Sequence, residues 1–373
     1  MQQDLFSNDA HTYLTGQLLT YIGNKRALLD FIGQGVAAVK ERLGADQLRT
    51  FDAFAGSGVV ARFLKLHSRS LHANDLERYA EVVARCFLSD PATVDLDAVR
   101  EAVDWINDEA ERNPKPGFIQ ELYAPNDDTH IREGERVFYT TRNARFIDTA
   151  RQLIDTLPDD LQPYVLAPLL YEASVHANTS GVFKGFYKNS RTGKGQFGGN
   201  GRSALPRILG DIRLAPPVLH PAPCEVRVTR QDANAVVKDD ATGPFDLAYL
   251  DPPYNQHPYG SNYFMLNLIA DYERPEAISR VSGIPRDWNR SRYNKRQEIA
   301  DALHDLVAHL DARFVLVSYN SEGFLSEHDL RALLETFGPV DTLRRPYNAF
   351  RGSRNLAQRD TYVTELLYLL ERG

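Results

Sequence analysis

An α/β fold carrying a mostly helical insertion is what this sequence predicts, on three observations. The apolar stretch Leu48-Arg49-Thr50-Phe51-Asp52 runs into Ala53-Phe54-Ala55-Gly56-Ser57-Gly58 and then into the helix-like Val59-Val60-Ala61-Arg62-Phe63-Leu64. Far downstream, Phe245-Asp246-Leu247-Ala248-Tyr249-Leu250 ends in Asp251-Pro252-Pro253-Tyr254. Between them, from about residue 91 to residue 221, helical spacings recur but no strand with a glycine turn appears. The α/β pattern opens, is interrupted and resumes. This divides the chain into residues 1–92, an insertion at 93–221, and residues 222–373.

With 373 residues and 43% hydrophobic content the chain can bury a large core. No apolar run reaches the length of a membrane span, and Met1-Gln2-Gln3-Asp4 lacks the basic and apolar regions of a secretory signal. Two cysteines give neither a disulfide framework nor a metal cluster, so no metal and a cytoplasmic location are expected. A net charge of −7 excludes a uniformly basic coat but leaves room for a local basic face.

The first segment, Tyr21-Ile22-Gly23-Asn24-Lys25, precedes apolar positions at helical spacing, from Ala27 and Leu28 through Phe31 and Ile32 toward Val36 and Val39. Backbone amides at a helix start, with a lysine, suit a carboxylate or a phosphate. At the glycine turn, Gly56 and Gly58 permit unusual dihedrals and close approach of a ligand. The dinucleotide fingerprint would need a third glycine, and position 61 is Ala. A second strand, residues 69–75, ends in Asp75, placed to accept from ribose hydroxyls, with Glu77 as the alternative. Tyr79, Val82, Val83, Cys86 and Phe87 make an amphipathic helix in which Cys86 belongs to the core.

The insertion shows helical stretches at 98–110, 142–157 and 164–177. It closes with residues 181–202, a run of basic, aromatic and glycine residues without an acid. Lys184, Lys188, Arg191, Lys194 and Arg202 are there for phosphate, with aromatics between them for bases. Such a stretch is expected to be a surface loop, ordered on binding nucleic acid. The strand 224–229 then leads to Asp232, a candidate for an adenine amine or for a helix cap. A second basic cluster holds Arg286, Arg290, Arg292, Lys295 and Arg296. Strands follow at 314–320, 340–343 and 362–368.

At the corner, two consecutive prolines end the strand, because neither donates a backbone hydrogen bond. Asp251 before them, their fixed carbonyls, and the Tyr254 ring after them would suit an exocyclic amine on a flat base. Asp251-Pro252-Pro253-Tyr254 and Asp52-Ala53-Phe54-Ala55-Gly56-Ser57-Gly58 resemble the catalytic and cofactor motifs of the amino-group DNA methyltransferases. Tyr21, Gly23 and Lys25 resemble the segment that closes over the methionine part of the cofactor. The order of the motifs is that of the alpha group, which includes the Dam-type and type II restriction-associated adenine enzymes. The resemblance covers roughly residues 20–87 and 225–370.

It implies a Rossmann-like S-adenosylmethionine-dependent methyltransferase sheet with a closing antiparallel hairpin and a helical target-recognition insertion. It implies that Tyr21, Gly23, Lys25, Asp52, Phe54, Gly56, Gly58, Asp75 and Asp232 hold S-adenosyl-L-methionine. Asp251, Pro252, Pro253 and Tyr254 would carry transfer to the N6 of an adenine flipped out of double-stranded DNA. Lys184, Lys188, Arg191, Lys194, Arg202, Arg290 and Arg292 would contact the DNA. A cognate restriction endonuclease is a candidate partner, since no nuclease motif is present. Three alternatives stay open. A cytosine-N4 enzyme would usually carry Ser at position 251. An RNA adenine methyltransferase would often lack the large insertion. A non-catalytic DNA-binding protein would not need an intact Asp251-to-Tyr254 corner.

Overall fold

A computed structural model describes residues 8–199, 203–348 and 362–372. Its centre is a seven-stranded sheet in the order β3-β2-β1-β4-β5-β7-β6. The strands are β1 Leu48–Asp52, β2 Ser68–Asp75, β3 Glu225–Arg230, β4 Phe245–Leu250, β5 Ala312–Asn320, β6 Val340–Asn348 and β7 Tyr362–Glu371. The first five in spatial order are parallel to one another, whereas β7 runs antiparallel to both β5 and β6. This is the Rossmann-like sheet with an antiparallel closing hairpin that the sequence predicts. The sequence leaves residues 344–361 between its last two expected strands; of these, 344–348 continue β6, and 349–361 lie outside the described residues.

Strand periodicity of two explains the layers. Leu247 and Tyr249 face helices Leu29–Leu43 and Val59–Lys65, in one core with Leu316 and Leu367. Ala248 and Leu250 face the opposite way, in a core with Leu303 and Leu306 of helix Ile299–His309. Because both faces are covered, β4 is buried almost throughout, as its continuous apolar run requires.

A third core belongs to the insertion. Helices Leu96–Arg112, Phe118–Tyr123, Thr141–Ile154 and Gln162–Val175 pack with Arg78–Phe87 and Phe264–Asp271 around Ile106, Ile147 and Leu169. Gln162–Val175 is apolar nearly all round because neighbours cover it on most sides. No strand lies within 93–221 among the described residues. The insertion's core is therefore continuous with two helices from outside it, one on each side of the Asp251-to-Tyr254 corner in sequence.

Candidate active site

The C-terminal ends of β1, β2 and β4 meet at one cleft of about 900 Å³. Beyond β1, Gly56 and Gly58 take positive φ of 51° and 76° before helix Val59–Lys65 begins. They face different ways. A Cβ on Gly56 would come within 3.4 Å of the Tyr21 hydroxyl, and Gly56 lines the cleft. A Cβ on Gly58 would meet Val83 at 3.0 Å, so this glycine lets helix Arg78–Phe87 approach. Asp52 is fully buried behind the turn; one carboxylate oxygen accepts from the Phe54 amide at 3.3 Å and the other has no hydrogen bond. Burial, with Asp251 and Asp75 nearby, holds its carboxyl well above the usual range.

Asp75 ties the turn to β2. Its two oxygens accept from the amides of Gly56 and Glu77, each at 2.8 Å. Glu77 is buried too, and burial pushes its carboxyl up to about 7 while Asn267 and Asn289 donate to it at 2.5 and 3.0 Å. Asp232 caps helix Ala233–Val236 through the amides of Asn234 and Ala235, and it also lines the cleft. The cap residue thus also faces the cleft. Phe54 meets Tyr293 edge-on at 5.2 Å, and both rings face the cleft. Tyr293 was hidden in sequence because it lies inside the second basic cluster, with no motif around it.

The 20–25 strap closes this cleft from above. Tyr21 stacks nearly parallel to Tyr263 and Tyr259, at 4.2 and 5.3 Å between centroids, and its hydroxyl is 3.0 Å from that of Tyr79. The Thr20 amide donates to Ser174 and the Ile22 amide to the Tyr263 hydroxyl. Gly23 has φ of 80° and lines the cleft. Lys25 borders the cleft, yet its ammonium points to two acids, Asp251 Oδ1 at 3.2 Å and Glu365 Oε2 at 3.7 Å. Sequence reasoning assigned Lys25 to the cofactor alone. It missed Glu365 altogether, which reaches the site from β7.

Asp251 follows β4 directly; burial raises its carboxyl and Lys25 draws it back down. Pro252 is buried, Pro253 lines the cleft, and Tyr254 faces away from it. Tyr254 borders a second concavity of about 1760 Å³, with His257, Arg296, Asn320, Phe324 and Glu365. Its ring meets Tyr319 edge-on at 5.5 Å, and burial pushes its hydroxyl up to about 12. Residues 20–24 and the Asp251-to-Tyr254 corner stand between the two concavities.

The basic stretch departs from the expected unanchored loop. Phe183 is buried, and Phe186 packs with it against Phe138. The Asn178 amide donates to the carbonyls of Val137 and Gln196 and accepts from Gly198. A bridge between Lys188 and Gly195 narrows the turn. Aromatic anchoring at both its start and its core is the physical reason for the order. Lys184, Arg191 and Lys194 are exposed, while Lys188 is half-buried with its ammonium over Phe186 at 5.1 Å. Among the described residues, none of these four has a carboxylate partner. Lys184 lies close enough to His257 to depress its pKa, after burial, which places this stretch beside the second concavity. Arg202 lies outside the described residues. Arg290 stacks on Trp288 at 4.5 Å and Arg292 pairs with Glu298 at 3.6 Å; of this cluster Arg296 borders the second concavity, whereas Arg290 and Arg292 are not among its lining residues.

A family model described as D12 class N6 adenine-specific DNA methyltransferase matches residues 21–333. Type II methyltransferase M.NlaIII of Neisseria lactamica is 28% identical over 369 residues, covering 95% of this chain and 99% of its own length. Type II methyltransferase M.CviAII of Paramecium bursaria Chlorella virus 1 is 29% identical, covering 94% of this chain and 97% of its own. Modification methylase StsI of Streptococcus sanguinis is 26% identical over 95% of this chain, which spans 52% of that protein.

Proposed function

The chain belongs to the D12 class of N6 adenine-specific DNA methyltransferases, and on that premise we propose how its two concavities divide the work. The cleft under the strap takes S-adenosylmethionine, and the second concavity takes a target adenine flipped out of duplex DNA. The observation that carries this reading is that both meet at the Asp251-to-Tyr254 corner, so a methyl donor and an amine brought from opposite sides converge there. The names of the relatives support the same assignment, and we read the chain as the modification enzyme of a type II restriction system.

The cleft residues fit the cofactor by their chemistry. Gly56 has no side chain where a ligand must approach the turn. Glu77 and Asp232 offer carboxylate oxygens to hydroxyls and an amine, and Phe54 with Tyr293 offers apolar walls for a base. Asp75 contributes indirectly, because both its oxygens already hold backbone amides of the turn. Bound S-adenosylmethionine would supply a methyl group already activated on a sulfonium.

The adenine N6 is a poor nucleophile because its lone pair is delocalised into the ring. Asp251 accepts one N6 hydrogen and the Pro252 carbonyl the other, which favours a pyramidal nitrogen with its lone pair toward the donor. Tyr254 stacks on the flipped base and holds it at attack distance. The basic stretch 183–199, with Lys184 nearest the mouth, grips the duplex outside.

Asp251→Ala tests the assignment. Tritium transfer to duplex DNA should fall by about 10²–10⁴-fold, with N6-methyladenine as the wild-type product. Calorimetric affinity for S-adenosylmethionine should change by less than tenfold, about 1.4 kcal/mol. A larger loss of binding would mean that Asp251 serves the cofactor instead.

A further inference from the structure

Strand β7 presents Val363, Glu365, Leu367 and Leu369 on one face, by its period of two. Three are apolar and packed, and Glu371, which ends the same row, pairs with Arg42 nearer the surface; Glu365 is the acid set among the apolar residues, and it is only 5% exposed. Burying an acid there costs stability unless a partner offsets it. The partner is Lys25, 3.7 Å from Glu365 Oε2, which itself has no hydrogen bond. The same ammonium lies 3.2 Å from Asp251 Oδ1. One buried cation is therefore shared by two acids, from β4 and β7, across the intervening β5.

We propose that Glu365 is a positioning residue for methyl transfer, which anchors Lys25 and thereby sets the carboxylate of Asp251; this rests on the reading of Asp251 as acceptor for the N6 amine. Amine and ammonium compete for the same carboxylate. Asp251 must stay ionised in a buried place, which calls for a cation. A cation held by Asp251 alone would take the oxygens that the amine needs. Glu365 draws on the ammonium from the other side, so that Lys25, 3.2 Å from Asp251 Oδ1 and 3.7 Å from Glu365 Oε2, compensates the charge of Asp251 while shared between the two acids.

The other titratable groups facing this cluster are Tyr249 and Tyr254 beside Asp251, Asp52 from β1, and Tyr259. Two carboxylates held this close each disfavour the other's ionisation. Removing the charge at Glu365 therefore lowers the pKa of Asp251. A neutral Glu365 that only packs the strand would leave that pKa where it is.

The test measures single-turnover tritium transfer, with saturating S-adenosylmethionine, to plasmid DNA grown in a host lacking DNA methyltransferases. Glu365→Gln should slow transfer by about 10²-fold, leave calorimetric cofactor affinity unchanged, and move the acid limb of the pH–rate profile to lower pH. Glu365→Asp keeps the charge and should recover much of the rate with the limb near its wild-type position. The proposal is overturned if the Gln variant transfers at the wild-type rate. It is equally overturned if the rate falls with an unmoved limb and Asp recovers nothing. Should circular dichroism show the Gln variant unfolded, the Asp variant decides. It must then be measurably slower than wild type, because its carboxylate is drawn back from Lys25. Asp251→Ala, run alongside, separates the two readings. If it keeps transfer, the role of Asp251 fails and this inference with it. If it is inactive while Glu365→Gln is normal, only the role of Glu365 fails.

Discussion

The glycine turn at 53–58 lines the first cleft, the cluster around Lys25 reaches from that cleft to Glu365 at the second concavity, and the two are assembled differently. The turn is local. Its dihedrals, its cap and its neighbour Asp75 come from one strand–turn–helix unit and the strand beside it. The cluster is not. Lys25 comes from the strap, Asp251 from the end of β4, Glu365 and Asn320 from paired positions on β7 and β5, and Arg296 from a separate basic stretch. On the proposed reading the cofactor is served by a local unit, whereas the base would be met by parts that the sheet brings together from distant stretches of the chain. Substitutions on the two sides should therefore separate cofactor affinity from transfer.

After Asp251→Ala, the largest expected effect on this comparison is at Tyr254. Replacing it by alanine removes a stacking surface worth about 1–3 kcal/mol per base. Transfer should fall by up to about a hundredfold at that energy, with cofactor affinity unchanged by calorimetry. An equal loss of cofactor binding would erase the division between the two sides.

Next are the two glycines. Gly56→Val and Gly58→Val should each cost about 1–3 kcal/mol in a thermal or urea melt, since both hold positive φ. Only the first should also weaken cofactor binding tenfold or more, about 1.4 kcal/mol. The reason is that its side chain would project toward Tyr21, whereas that of Gly58 would press on Val83. Equal cofactor losses in the two variants would show that the turn acts as a whole.

A smaller effect is expected at Lys184, Lys188, Arg191 and Lys194. Each single alanine that removes a phosphate contact should flatten the salt dependence of DNA binding by roughly one unit of slope. Transfer on bound DNA should be unchanged. A variant that weakens binding to one sequence only, by about 1–3 kcal/mol, identifies a base reader instead.

The smallest effect concerns Glu77. Burial raises its carboxyl to about 7 in the folded chain. The protonated form is thus favoured on folding, so its contribution to stability is present below the unfolded pKa and is lost as pH rises through the folded one. Relative to wild type, Glu77→Gln should gain stability between about pH 5 and pH 8. A pH-independent difference in melting temperature between the two would contradict the buried acid.

Much of this was readable in the chain itself. The strand before Asp251 and the strand before the glycine turn were legible because each motif is contiguous, with its periodicity and its breakers on either side. The closing hairpin was legible for the same reason. The pairing of Asn320 with Glu365 was not, because it depends on β7 entering between β5 and β6. A glutamate within Tyr362-Val363-Thr364-Glu365-Leu366-Leu367 looks like an outward-facing residue of a half-exposed strand until both sides of that strand are seen to be covered. The basic stretch 183–199 was read correctly as cationic and wrongly as unanchored. Its composition is that of a loop, but Phe183 and the side-chain amide of Asn178 supply anchors that composition does not weigh.

The strap from Thr20 to Lys25 is a partition with a concavity on each side, pinned to Ser174 in the insertion and to Tyr263 beyond the corner. A partition of that kind obeys a reciprocity that no choice of residues can evade. By whatever factor an occupant of one chamber shifts this wall to favour the other, the second occupant returns the same factor to the first. Titrating S-adenosylmethionine with and without DNA therefore yields, from one experiment, the coupling in both directions.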